Sequence, residues 1–496
     1  MTAFHRLVPS LLRWVSLSVF LSALLSCGPG TPPPQAPRLG SGVLVIEVDA
    51  WRRDDCSLYE PSLGTMPGLE KWQDQCLVFE DAWSTGADPK AAAASLLTGC
   101  DALLARHPGF TLPEGDVLQK RFPWSLPEAM PRLAFEYLLD GWRTALFDSD
   151  GGLQPLGNLK PGLERIESPE DAAAWDLPEV KDRLEYWLRS LKQGDDWFAY
   201  VHCSDLERFA KKARLDPAFG AAPGIDCLPP LGATEPLYHA LPASRAVEGV
   251  ESIAQYRAMY RSALRQLDTD LLALRSMLAE QRLLGRTTIV LVGGYGLSFG
   301  ESGLFLQSGS VSEADLAVPL ILRPAPDLVV PVGRRLDTLV SLVDVAPTLM
   351  QWSGLRTREG LQGHDLRPTW AEEMPVRNHA YALATLHSGY AVIDDRGLWL
   401  EFAPQRGGSV ELGLSWWGRS VPLDQTVEIL LARREGLRGD AWRQGVSDPV
   451  WGDELRKQGR GWFYWGLGLA EGLHLEDGSG ATDSQDGAWT VPAWAR

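Results

Sequence analysis

Cysteine is scarce in this chain of 496 residues: there are six, and no two form a Cys-x-x-Cys pair. That argues against a structural zinc site. With Cys27 set aside, Cys56, Cys76, Cys100, Cys203 and Cys227 remain, an odd number whose spacing suggests no disulfide framework. Histidine is sparse too, and His239, His364, His379 and His387 lie scattered without metal-ligand spacing. Basic residues are outnumbered, 47 against 64, for a net charge of −17. An acidic surface repels phosphate backbones, so nucleic acid is not an expected partner. There is no internal repeat, and the longest apolar run, near the N-terminus, is too short for a typical membrane-spanning helix. What the chain does have is a hydrophobic content of 45%, in keeping with a globular protein. Its length suits one large domain with a smaller one attached.

The N-terminal run has a specific pattern. Arg6 and Arg13 precede an apolar stretch over 14–25, followed by Ser26, Cys27 and Gly28. A positive region, an apolar run and a small residue before the break describe an export signal over 1–26. Leu24, Leu25, Ser26 and Cys27 resemble the bacterial lipobox, in which the cysteine is lipidated and becomes the mature N-terminus. The resemblance implies a lipid anchor at Cys27 in the membrane of the cell envelope. Gly28, standing where inner-membrane retention signals often have Asp, points to the outer membrane. Residues 27–40 are proline-rich and read as an extended tether.

Beyond the tether, apolar runs alternate with helical spacing. Residues 43–49, 76–79, 142–147, 197–202, 287–292 and 318–322 read as strands. Helices are expected from Pro67, from Ala91, over 127–139, over 178–193 and over 248–284, with Asp344 capping another. Alternation of this kind implies α/β architecture with a mainly parallel sheet covered on both faces, over residues 41–375. After 375 the texture changes to short strand-like runs with frequent tryptophan, expected to form a smaller α+β unit over 376–496 with a mobile tail at 477–489. Its tryptophans suit core packing first and a carbohydrate-stacking surface second.

Several segments occur together in a recognisable order. The strand 43–49 ends in Asp49 and runs into Ala50, Trp51, Arg52 and Asp54. Residues 79–84 lead without a gap to Ser95-Leu-Leu-Thr-Gly99. Tyr260 to Asp268 opens a long helix that reaches a buried strand. Val318 to Leu322, then 333–349, then Leu361-Gln-Gly363 complete the series. This series resembles the sulfatase branch of the alkaline phosphatase superfamily. The resemblance implies an alkaline-phosphatase-like sandwich and an ancestral hydrolysis of sulfate or phosphate esters. In that chemistry a nucleophile attacks sulfur or phosphorus, a divalent cation held by oxygen ligands neutralises developing charge, and basic side chains assist.

Matched residue by residue, the resemblance leaves little of that machinery. Asp49 stands at the first cation ligand. The nucleophile position is Pro89, which has no reactive group, and the basic residue expected four positions on is Ala93. No hydroxyl or thiol occurs from Gly86 to Ala94. The late ligand pair falls on Gly294 and Tyr295, the Lys position on Gln307, and Glu207 occupies a histidine position. The expectation is therefore a sulfatase-like exported lipoprotein without ester hydrolysis and without a cofactor. Its remaining cleft would serve as a binding surface for an anionic or carbohydrate ligand, or as an envelope component. The alternative is a hydrolase of sulfuric or phosphoric esters with a rearranged calcium or magnesium site. That site would draw on Asp49, Asp54, Asp55, Asp88, His202, Glu207 and Glu301, and would require three or more of them to converge. Against it, Asp54 with Arg52 reads as a structural turn, Asp88 as a loop or cap residue, and His202 as a satisfied buried histidine. Cys203 beside His202 makes no dyad, because adjacent strand residues face opposite ways.

Overall fold

The computed structural model describes residues 42–416 with interruptions, chiefly at 103–125, 221–227, 233–238 and 384–389. The leader, Cys27, the tether, and the tryptophans and tail beyond 416 lie outside the described residues. An eight-stranded sheet organises the rest. Its strands are β1 (Gly42–Val48), β2 (Leu77–Trp83), β3 (Arg143–Asp148), β4 (Arg165–Glu167), β5 (Trp197–Cys203), β6 (Thr287–Gly293), β7 (Leu320–Arg323) and β8 (Arg334–Ser341), in the spatial order β8-β2-β7-β6-β1-β5-β3-β4. Only β7 runs antiparallel to its neighbours; the β1–β5, β1–β6, β3–β5, β3–β4 and β2–β8 pairs are parallel. The α/β expectation with a mainly parallel sheet is met. Five of the six expected strands hold to within two residues; the one expected over 76–79 runs on to Trp83, and β4 and β8 were not among them.

Burial on both faces explains the continuous apolar runs. Val43 and Val45 join one core with Phe198, Tyr200, Val290 and Val292, packed against α2 (Pro89–Thr98), α3 (Leu133–Leu139) and α6 (Val345–Trp352). Leu44, Ile46 and Val48 join the other core with α1 (Pro67–Trp72), α4 (Leu177–Ser190) and α5 (Ile253–Glu280). Each fully buried aliphatic side chain contributes roughly 1.5–3 kcal/mol by leaving water. Capping sets the helix ends. Ser252 with Gln255, and Asp176 with Glu179, form capping boxes at the starts of α5 and α4. Asp88 caps α2, Pro89 takes its first position, and Gly99 ends it in the left-handed region.

A separate four-stranded antiparallel sheet follows: β9 (His379–Leu383), β10 (Tyr390–Asp394), β11 (Leu398–Pro404) and β12 (Val410–Trp416), in sequential order. No helix is described there, so of the expected α+β unit only the strands are seen. Among the described residues no helix is long and apolar enough to cross a membrane.

One expectation needs correcting. Asp344 precedes α6, yet its carboxylate caps nothing in that helix. It is fully buried, accepts from the backbone of Ser341 and His364 (both 2.8 Å), and pairs with Arg377. Burial alone would raise this carboxyl; Arg377 and His364 hold it below its ordinary value. Breaking a buried pair leaves an unpaired charge. Asp344→Asn is therefore expected to destabilise the protein by about 3–5 kcal/mol, read as a fall in thermal midpoint; a change under about 1 kcal/mol would show the pair to be expendable.

Candidate functional site

The face of the sheet that carries α2 changes character at its carboxyl end. Following Val43 and Val45 with period two, β1 presents Glu47 and then Asp49. β5 presents Tyr200 and His202 beside them, and β3 presents Asp148. Ligands in open α/β sheets bind outside the carboxyl ends of the strands, so this is where chemistry would be sought.

His202 is the centre of this cluster and is fully buried. Its Nε2 lies 2.8 Å from Asp49 Oδ2, and its Nδ1 lies 2.8 Å from Asp148 Oδ1 and 3.7 Å from Asp150 Oδ1. Burial would lower the imidazole, but Asp49 and Asp148 raise it well above its ordinary value. Burial pushes Asp49 up to about 6, with His202 pulling the other way. Asp148 is pulled below its usual range despite burial, because His202 and the backbone N–H of Leu153 (3.0 Å) donate to it. The histidine is thus a doubly charge-assisted bridge across three neighbouring strands.

Glu47 lies one layer deeper. The Tyr200 hydroxyl donates to Oε2, while Oε1 of Glu47 and Oδ1 of Asp49 have no hydrogen-bond partner among the described residues. Burial, aided by Asp49 and Asp148, pushes Glu47 up to about 8. Gly294 sits against both oxygens: a Cβ added there would come within 2.5 Å of Glu47 Oε1 and 3.2 Å of Asp49 Oδ1.

The remaining candidates from the sequence do not join this cluster. Asp88 accepts from Lys90 N (2.8 Å) and caps α2. Asp54 forms a fork with Arg52 (2.8 and 2.6 Å) and also meets Arg257; Arg52 also reaches Glu301 at 2.8 Å. Asp55, fully buried, is held by Arg257 and Arg261. Asp54, Asp55 and Glu301 therefore belong to one charged clamp under the turn that follows β1. Glu207 accepts from the Tyr295 hydroxyl (3.1 Å) and from Arg245 (3.1 Å). Of the seven groups proposed for a rearranged site, only Asp49 and His202 belong to this cluster. Their true neighbours, Glu47, Asp148, Asp150 and Tyr200, were not singled out. A lone Glu inside the apolar run 43–48, and an Asp closing strand 142–148 as Asp49 closes β1, were the available signals.

Tyr295 fills the space beside Asp49. The side chain is 1% exposed, and its hydroxyl is raised by burial, with Asp49, Glu207 and Asp88 around it. Ser84 Oγ donates to the Gly294 carbonyl at 2.5 Å, pinning this loop to the end of β2. On the opposite side, Pro89 and the buried Ala91–Ala94 form the first turns of α2.

The sulfatase family model matches residues 41–355. The chain belongs to the sulfatase family. It is 24% identical over 408 residues to the multifunctional alkaline phosphatase superfamily protein PehA of Trinickia caryophylli, covering 67% of this chain and 77% of that one. Arylsulfatase K of Xenopus laevis is 30% identical over 121 residues, which span 24% of this chain and 21% of that relative's length. The phosphonate monoester hydrolase of Agrobacterium radiobacter superposes with a TM-score of 0.60 at 17% identity, over 81% of this chain and 96% of that one. The 2-O GAG sulfatase BT1596 superposes at 0.59 with 14% identity, over 85% and 94%. These likenesses establish the fold.

Sulfatases normally use a divalent cation, and the donors at that position here do not fit one. Asp49 Oδ2 is taken by His202. Gly294 offers no side chain, and Tyr295, neutral and bonded to Glu207, fills the neighbouring space. A hard divalent ion requires several oxygen ligands at once.

Glu47 gives the cluster a pH signature. A carboxyl raised from 4.5 to about 8 binds its proton more tightly in the folded than in the unfolded chain. It therefore stabilises the fold below about pH 4.5, and that contribution is lost as pH rises towards 8. Glu47→Gln is expected to flatten the fall in thermal midpoint between pH 5 and 9 relative to wild type; identical slopes would show that Glu47 does not carry that proton.

Proposed function

We propose that this protein is a non-hydrolytic member of the sulfatase family, exported and lipid-anchored at Cys27, whose cleft binds rather than cleaves. The observation that carries the reading is the occupation of Asp49 by His202, because the carboxylate expected to grip the cation is already neutralised by a side chain. The surrounding substitutions support it in the same sense. A proline at the first position of α2 has no group that could attack, and the alanines behind it supply no base. Gly294 and Tyr295 supply no carboxylate.

The alternative, an ester hydrolase with a rearranged site, gains nothing from Asp54, Asp88, Glu207 or Glu301, each of which is bonded elsewhere. The basic groups nearest Tyr295 are Arg245, paired with Glu207, and Lys90, paired with Asp88. An anionic or carbohydrate group is the class of ligand proposed, with the membrane engaged through the anchor and nucleic acid disfavoured by the acidic charge.

The decisive measurement is a hydrolysis screen of the purified chain with aryl sulfates, phosphomonoesters, phosphodiesters and phosphonate monoesters, in calcium, magnesium or manganese. No turnover above buffer is expected. Turnover that disappears in Asp49→Ala would overturn the proposal.

A further inference from the structure

The side of His202 that faces away from Asp49 has the composition of a different site. Asp148 and Asp150, on the end of β3 and the loop after it, turn a carboxylate oxygen each towards His202 Nδ1, and the three ligand atoms lie within 4.8 Å of one another. The separations from Nδ1 are 2.8 Å to Asp148 and 3.7 Å to Asp150. Ligands about 2.1 Å from a first-row divalent ion stand roughly 3.0 Å apart at octahedral angles and roughly 3.4 Å apart at tetrahedral ones. The observed edges bracket those values, so a cation would enter with small side-chain shifts.

The surroundings of this point favour a cation. Gly152 lines it with its backbone, whose N–H donates to Asp150 Oδ1 at 2.8 Å, and a Cβ there would sit 2.9 Å from that oxygen and 3.4 Å from the His202 ring, so the missing side chain leaves room. Three carboxyls (Asp49, Asp148 and Asp150) surround one imidazole, so the cluster is also short of positive charge. Access exists as well, since the Asp150 side chain is 25% exposed while His202 and Asp148 are buried.

We infer that Asp148, Asp150 and His202 Nδ1 form a binding site for a first-row divalent cation, of zinc type, displaced by two strands from the cation position of the family. Asp49 would be the orienting carboxylate: by accepting from Nε2–H it fixes the tautomer whose Nδ1 lone pair faces the ion. Binding exchanges one proton for one bond: Nδ1–H is lost to solvent and the metal–Nδ1 bond forms. The imidazole favours zinc over magnesium or calcium. This site stands apart from the proposed loss of hydrolysis, because zinc bound without turnover leaves that reading intact, and absent zinc does not touch it.

The test is calorimetric titration of zinc chloride into the tag-free, chelator-stripped full chain, in buffers of different ionisation enthalpy. One equivalent should bind with release of about one proton. Asp150→Ala, at a partly exposed position, should keep the thermal midpoint yet weaken binding by at least about tenfold. Glu301→Gln, in the separate clamp, should leave it unchanged. Absence of saturable binding in the wild type, or binding that survives Asp150→Ala, would overturn the inference.

Discussion

The contact on which the site depends is the imidazole of His202 held between Asp49 and Asp148. It joins β1, β5 and β3 where their backbone pairing ends. Parallel strands carry no hairpin to lock their ends together, and here the lock is a side chain. Both ring nitrogens are committed, so the ring can neither flip nor swing without breaking a charge-assisted bond. Taking three charged groups out of water is costly, and the arrangement is tolerable only because each charge meets an opposite one at 2.8 Å.

The same contact explains how the sheet end holds several acids close together. A divalent ion would bring two positive charges to this point. The chain brings one as the imidazolium of His202, and the raised Glu47 carboxyl keeps a proton that an ordinary glutamate would lose. Tyr200 and Tyr295 then supply neutral hydroxyls to Glu47 and Glu207. On the Asp49 side of His202 the result is a polar floor satisfied mainly from within the chain.

Much of this was legible in the sequence, and the parts that were not share a cause. The apolar runs identified the parallel strands because both sheet faces are buried, and Asp49 stood out as the polar residue ending the first of them. The expectation that Pro89 stands at the family's nucleophile position rests on the segment between Ser84 and Ser95, which needs no gap. Asp148 and Asp150 were invisible because the order β1-β5-β3 is set by packing, bringing Asp49 beside His202, 153 positions away, and His202 beside Asp148, 54 positions away. Asp54 pairs with its near neighbour Arg52, as the sequence suggested, whereas Glu301 could not be placed for the same reason as Asp148: its partners Arg52 and Arg257 lie in distant segments of the chain. Asp344 preceded a helix and looked like a cap, yet Arg377, thirty-three positions on, claims it.

The substitutions around Asp49 also constrain one another sterically. Glu47 lies across the end of β1 where position 294 has no side chain; an added Cβ would sit 2.5 Å from Oε1, so the carboxylate would have to swing aside. A side chain at 294 would therefore press on the bond between Glu47 and Tyr200, and an aspartate there would place a third acid against Asp49. The residue at 294 and the placement of Glu47 are thus coupled, in shape and in charge.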